Sequence, residues 1–225
     1  MNLYEHEGKK LFARMGIPVP QGLVVESPEA AVAAAEEIGF PVVAKCQVLS
    51  GGRGKAGAIK FAANHSELDQ FRTQLFGLNL GDERVERLLI EERLSIDREL
   101  YAGITFDPKN DMPVLMLSAQ GGIEIELVTA ENPQALVQQV LDPLQTYRPH
   151  HLMALAKQAG LTGSLLIKVA KVLGQLMTCY FTYEAITAEI NPLVVLENGD
   201  IYAADAKIEI DDSAIHRQPQ IKDLD

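Results

Sequence analysis

Two runs rich in β-branched and apolar residues, 188–196 and 201–210, flank the tetrapeptide Glu197-Asn198-Gly199-Asp200. Asn-Gly is the preferred pair for a tight hairpin, because both central positions take positive φ. A long antiparallel pair argues against a doubly wound parallel sheet. With helices and strands mixed along the rest of the chain, it points to an α+β fold.

The remaining elements follow from local signals. Asn2 is a candidate cap for a first helix running to Met15, with Gly16 as its stop. Gly22–Val25 reads as a strand. Ser27-Pro28-Glu29 opens a second helix, with Ser as N-cap, Pro in the first turn and an acid near the positive helix end. The run Pro41-Val42-Val43-Ala44-Lys45 is a buried strand, and residues 58–62 form another. Ser66 opens a helix that ends near Gly77, and residues 79–87 read as an exposed loop. Residues 88–91, 99–106 and 114–118 are strands. Residues 133–141, 151–159 and 165–177 have helical patterns.

Between the strand ending at Lys45 and the one starting at residue 58 lies Gly51-Gly52-Arg53-Gly54-Lys55-Ala56-Gly57. Glycine lets backbone N–H groups approach an anion closely, and the cations neutralise it. The pattern reads as a phosphate cradle or, more plainly, as a hairpin turn. It is not a P-loop, which needs Gly-Lys-Ser/Thr opening a helix. Glu91 closes an apolar strand and can accept from ribose hydroxyls or a base amino group, or it can be a solvated strand end. Glu99 opens the next strand. On the hairpin, Glu189 and Asn191 are two residues apart and share a face, and Asp205 falls close to opposite Asn191. Such oxygens suit Mg²⁺, which takes hard oxygen ligands together with substrate phosphates, or they form the polar face of a hairpin. Asn191-Pro192 in mid-strand weakens the second reading, because proline removes a ladder hydrogen bond.

Lys45-Cys46-Gln47-Val48, the loop at 51–57, Gly121-Gly122-Ile123-Glu124-Ile125-Glu126, Leu141-Asp142-Pro143-Leu144, Glu189-Ile190-Asn191-Pro192-Leu193 and Arg217-Gln218-Pro219 occur in this order over nearly the whole chain. Together they resemble the amino-terminal ATP-grasp region of succinyl-CoA synthetase beta subunits. The resemblance implies two lobes around a nucleotide cleft, at 21–102 and at 1–20 plus 103–225. It implies that Lys45 meets the nucleotide phosphates, that Gly52, Arg53 and Gly54 cover them, and that Glu91 and Glu99 line the nucleotide pocket. It assigns Asn191 and Asp205 to Mg²⁺, and Glu189 to the phosphorylated histidine of a partner alpha subunit that also carries the CoA site. Pro20 falls where the family distinguishes nucleotides and resembles the ATP-preferring kind. Val48-Leu49-Ser50 departs from the family, which commonly has His-Ala before its glycines. Family members continue with a flavodoxin-like domain beyond the point where this chain stops, so an excised domain or a split subunit is expected.

Composition sets the boundaries of that reading. A net charge of −11 disfavours binding to a nucleic-acid backbone. Cys46 and Cys179 sit in apolar segments and read as buried free thiols, which suits a reducing cytoplasm. No Cys-x-x-Cys or Cys/His cluster suggests zinc, the apolar stretches are interrupted by charges, and the start lacks a signal-peptide pattern. None of the five histidines lies in a glycine-rich loop suited to carrying a phosphoryl group. A stand-alone ATP-grasp carboxylate–amine ligase is the alternative, as is a malate- or citrate-activating CoA ligase subunit.

Overall fold

The computed structural model describes residues 1–49, 57–109, 111–122, 132–221 and 224. These form two compact units, one of residues 4–6 and 20–95, the other of residues 1–3, 7–19 and 96–225. The first helix, α1 (Glu5–Arg14), contributes its first two residues to the former and the rest to the latter.

In the smaller unit four strands pair antiparallel in the order β1 (Gly22–Val25), β6 (Leu88–Glu92), β2 (Val42–Cys46), β3 (Ile59–Ala62). One face, with Val42, Ala44, Cys46, Leu88 and Ile90, packs on α2 (Pro28–Ile38) and α3 (His65–Leu75). Strand periodicity puts Val43, Lys45, Leu89 and Glu91 on the other face. The cap of α2 is as its sequence dictates, with Ser27 Oγ accepting from Ala30 N–H at 3.1 Å. Gly22 pairs with Glu91, and a Cβ there would come within 2.8 Å of the Glu91 side chain. The glycine therefore leaves room for that carboxylate.

The larger unit holds a six-stranded sheet in the order β11 (Ile201–Ala203), β10 (Ala185–Leu196), β7 (Ile96–Asp107), β8 (Met112–Ser118), β9 (Leu136–Val140), with β12 (Lys207–Ile210) also paired to β10. Leu100, Ala102, Ile104, Ile190 and Leu193 turn to a core shared with the two helices α4 (Pro149–Gln158) and α5 (Gly163–Thr182). Full burial of each large aliphatic side chain stabilises by roughly 1.5–3 kcal/mol, so this face holds the sheet. The alternate residues Glu99, Thr105, Thr187 and Glu189 occupy the other face. Thr105 and Thr187 meet there through their hydroxyls at 3.4 Å.

Several expectations are corrected. Asn2 does not cap α1. It bridges to Glu209, and Leu3 N–H donates to Ile208 C=O, because the edge of β12 takes up the first residues. The cap of α3 is Asn64, not Ser66. Residues 79–87 contain a small hairpin, β4 (Asn79–Leu80) with β5 (Glu83–Arg84), rather than a plain loop. Residues 133–141 are not a helix: a 3-10 turn at Pro133–Ala135 leads into β9, which β8 recruits as its edge partner. The run 201–210 is interrupted, giving β11 and β12. The expected lobe boundary after residue 102 falls inside β7, which pairs with β10 along most of its length. Finally, α5 is long and apolar enough to cross a membrane. Its apolar side, including Val169, Leu173 and Leu176, lies in the core.

Candidate functional site

In the smaller unit the chemistry gathers at Lys45. Its Nζ donates to Glu5 Oε1 at 2.8 Å and lies 2.8 Å from Glu91 Oε2. Lys45 pairs with Leu89, and Glu91 with Val43, so the lysine and the glutamate are diagonal neighbours on one face. The relative exposures are 8% for Lys45 and 2% for each carboxylate, so all three are withdrawn from water. Next to Glu5, His6 donates its backbone N–H to Gln47 Oε1 (3.1 Å), and its ring Nδ1 lies 3.0 Å from the same oxygen. Gln47 in turn donates to the Lys45 carbonyl at 3.3 Å. The end of β2 thus ties down the first turn of α1. Glu91, read from sequence as a partner for ribose or base, directs its carboxylate to the lysine. Pro20 is buried just before β1. The adjoining Gln21 exchanges hydrogen bonds with Glu92, its N–H donating to the side chain (2.9 Å) and its carbonyl accepting from the N–H (3.0 Å). Gly52, Arg53 and Gly54 lie outside the described residues.

In the larger unit the site is built by an irregularity in β10. Ile190 pairs with Ala102, but Leu193 pairs with Leu100, so Asn191 and Pro192 together stand opposite Tyr101. A bulge of this kind re-aims a side chain, and proline fits because the bulged residue needs no ladder donor. Asn191 Oδ1 accepts from Gly122 N–H at 2.8 Å. Gly122 has φ 73°, and a side chain there would collide with the carboxylate of Glu99. Glu99 is exposed on β7, opposite Val194. Glu99, Gly122 and Asn191 are thus brought together.

Asp205 falls in the break between β11 and β12. The pairs Leu193–Ala203 and Glu189–Lys207 lie in one antiparallel register, so Asp205 is the residue opposite Asn191. Ala204 N–H donates to Pro192 C=O at 3.1 Å, and Ala206 N–H to Asp205 Oδ1 at 2.7 Å. Both Asn191 and Asp205 are half-buried. An amide oxygen has two lone pairs and a carboxylate roughly four acceptor sites, so each group is able to accept a backbone bond and ligate a cation as well. Among the described residues no group of three or more His, Cys, Asp and Glu is placed to hold a metal. An Asn and an Asp fit a hard cation that draws its other ligands from phosphate and water. Glu189, half-buried, stands between Gly103 and Lys207 in the ladder. The two cysteines are free and buried, and burial pushes the Cys179 thiol up to about 12.

A family profile described as an ATP-grasp domain matches residues 2–195. The chain belongs to the ATP-grasp family. It is 41% identical over 233 aligned residues to the beta subunit of an ADP-forming succinate–CoA ligase from Persephonella marina, covering all of this chain and 60% of that protein. It is 44% identical over 224 residues to the beta subunit of a GDP-forming succinate–CoA ligase from Thermus thermophilus, covering all of this chain and 59% of that one. The chain therefore spans about three-fifths of the length of these relatives. Among solved structures, an acetyl-coenzyme A synthetase from Ca. Korarchaeum cryptofilum, in complex with coenzyme A, acetyl-coenzyme A and a phosphorylated phosphohistidine segment, superposes with a TM-score of 0.73. The two are 24% identical, and each chain is covered to 93%. That likeness supports the ATP-grasp fold.

Sequence reasoning missed Glu5 and His6 in this ATP-grasp chain, and quoted Gln47 only within a motif, without its bonds to His6 and to the Lys45 carbonyl. The only local signal was an acid in the first turn of a helix, and nothing near residue 5 refers to residue 45. Gly122 was quoted as part of a motif, but its bond to Asn191 was not legible.

Proposed function

We propose that this ATP-grasp chain is the nucleotide-binding part of an acid–thiol ligase of the succinate–CoA ligase type. It binds MgATP or MgADP and exchanges a phosphoryl group with a histidine on an alpha subunit that carries the CoA site. The observation that carries this reading is the similarity to succinate–CoA ligase beta subunits over the whole chain. The residues quoted for the site are compatible with it. Lys45, held in a buried ion-pair cluster, supplies a fixed positive charge for phosphates. Asn191 and Asp205 would hold Mg²⁺, which when bound neutralises phosphate charge. Glu99 lies beside Asn191 and would face the nucleotide side of the same cluster. Glu189, on the same sheet face, would receive the partner's histidine.

Phosphoryl transfer asks little covalent chemistry of the protein. Positioning and charge stabilisation supply most of the rate. Lys45 would hold the phosphates in register, and the glycine-rich loop with Arg53 would cover them. Glu189 would orient the imidazole that gives up or takes the group. Relatives of the ADP-forming and the GDP-forming kind are of similar identity, so the preference for adenine rests on Pro20 alone. Cytoplasmic residence is part of the proposal, consistent with two free thiols.

The test supplies the chain with MgADP and a phosphorylated succinate–CoA ligase alpha subunit and measures ATP formed. The expected result is transfer that depends on the alpha subunit and falls in Glu189→Ala while ADP binding is kept. The chain alone should make no CoA ester from acid, ATP and CoA. Robust ester formation without a partner would contradict the proposal and favour a self-contained ligase.

A further inference from the structure

We propose that Glu5 is a positioning residue for Lys45, setting the direction in which the lysine meets the phosphates of a bound nucleotide. The inference rests on the nucleotide-binding reading above. A lysine ammonium is a point charge on a flexible four-carbon stem with three rotatable donors. One carboxylate alone would leave it free to swivel. Here two carboxylates grip it, Glu91 from the neighbouring strand β6 and Glu5 from α1, each at 2.8 Å. The two carboxylates, on different elements, restrict that swivel from two sides.

Glu5 is itself made rigid. It is 2% exposed, and the adjoining His6 is clamped through both its backbone N–H and its ring to Gln47, two residues beyond Lys45. The same Gln47 bonds the Lys45 carbonyl. Backbone and side chain of the lysine are thus referenced to one short piece of helix. Stability alone does not favour two buried carboxylates on one ammonium, because the desolvation of each ion offsets much of the attraction. Orientation of a donor is a use that fits the arrangement.

The test measures binding of MgATP, and of adenosine by competition with a fluorescent ATP analogue, to the chain and to Glu5→Gln, Glu5→Ala, Lys45→Met and the double variant Glu5→Ala/Lys45→Met. Positioning acts through the phosphates. Glu5→Ala should therefore weaken MgATP about tenfold while adenosine is unchanged. Glu5→Gln, of the same shape and with an acceptor oxygen retained, should weaken MgATP by a smaller factor. In the Lys45→Met background the loss from Glu5→Ala should vanish. Unchanged or tighter MgATP binding in Glu5→Gln would overturn the proposal, because a mere neighbouring negative charge predicts that sign. So would a parallel loss of adenosine, or a loss that persists without Lys45. If Glu5→Ala does not fold, Glu5→Gln decides by the same criteria. A wild-type chain that binds no ATP would overturn the nucleotide reading and this inference with it. A wild-type chain that binds ATP as well as its Glu5 variants do would overturn this inference alone.

Discussion

Lys45 and Asp205 are both charged groups at candidate nucleotide positions, yet the chain prepares them in different ways. Lys45 is buried and gripped by acids from two elements. Asp205 is half-buried in a strand break, opposite a bulge, and is oriented by the backbone N–H of the next residue. The first charge is fixed by packing, the second by the path of the backbone. A buried cation in a cage of carboxylates is coupled to stability, whereas an oxygen on an interrupted strand is largely decoupled from it. Substitutions at the two places should therefore fail differently.

The largest effect is expected at Lys45. Lys45→Met leaves Glu5 and Glu91 buried without their shared ammonium. Breaking such a pair from one side costs about 3–5 kcal/mol, so chemical denaturation should show a large stability loss together with weakened but measurable MgATP binding. A variant that is as stable as the parent would break the contrast. Asp205→Asn should do the reverse. Affinity for MgATP should fall by about 1.5–3 kcal/mol, the value of a charge-assisted contact, with the denaturation midpoint nearly unchanged. Equal losses of stability in the two variants would show that the difference in burial has no consequence.

These contrasts follow how legible each region was. The hairpin and its Asn191–Asp205 opposition could be read directly, because turn chemistry and a period of two are local properties. The strand break at residues 204–206 and the two-against-one bulge at Asn191-Pro192 could not be placed in detail, although the proline announced an irregularity. Ser27 was read correctly as a cap for the same local reason. Residues 133–141 were misread, because Gln, Ala and Leu favour a helix locally while the open edge of β8 recruits the segment into the sheet. Strand preference is set by such context. The Lys45 cage is a contact across 40 residues, with no periodic signal to betray it.

Gly122→Ala should have an intermediate effect. It places a side chain at φ 73° and against the Glu99 carboxylate, for a stability cost of about 1–2 kcal/mol. It also disturbs the N–H that orients Asn191. A loss of Mg²⁺-dependent ATP binding larger than the loss of Mg²⁺-free binding would tie this glycine to the hairpin site, and equal losses would separate them.

The smallest effect serves as an exposed reference for the buried Lys45 cage. Arg217 donates to Glu184 from Nη2 at 2.6 Å and from Nε at 3.2 Å. The hydrogen bond from Arg217, followed by that from Gln218, holds the Glu184 carboxyl below its ordinary value. A carboxylate with a lowered folded value contributes stability above its unfolded value and loses it as pH falls through the folded one. The melting-temperature difference between the parent and Arg217→Ala should therefore be small near neutrality and close in acid below the ordinary carboxylate range. A difference that grows on acidification would contradict the assignment.

A metal-assisted nucleotide site is the property on which all these binding effects depend. Calorimetric titration of ADP into the purified chain, with Mg²⁺ and then with the metal chelated, tests that directly. Saturable binding that is clearly tighter with Mg²⁺ is expected, with a Mg²⁺ advantage that disappears in Asp205→Asn. No binding in either condition, or one affinity regardless of Mg²⁺, would contradict it.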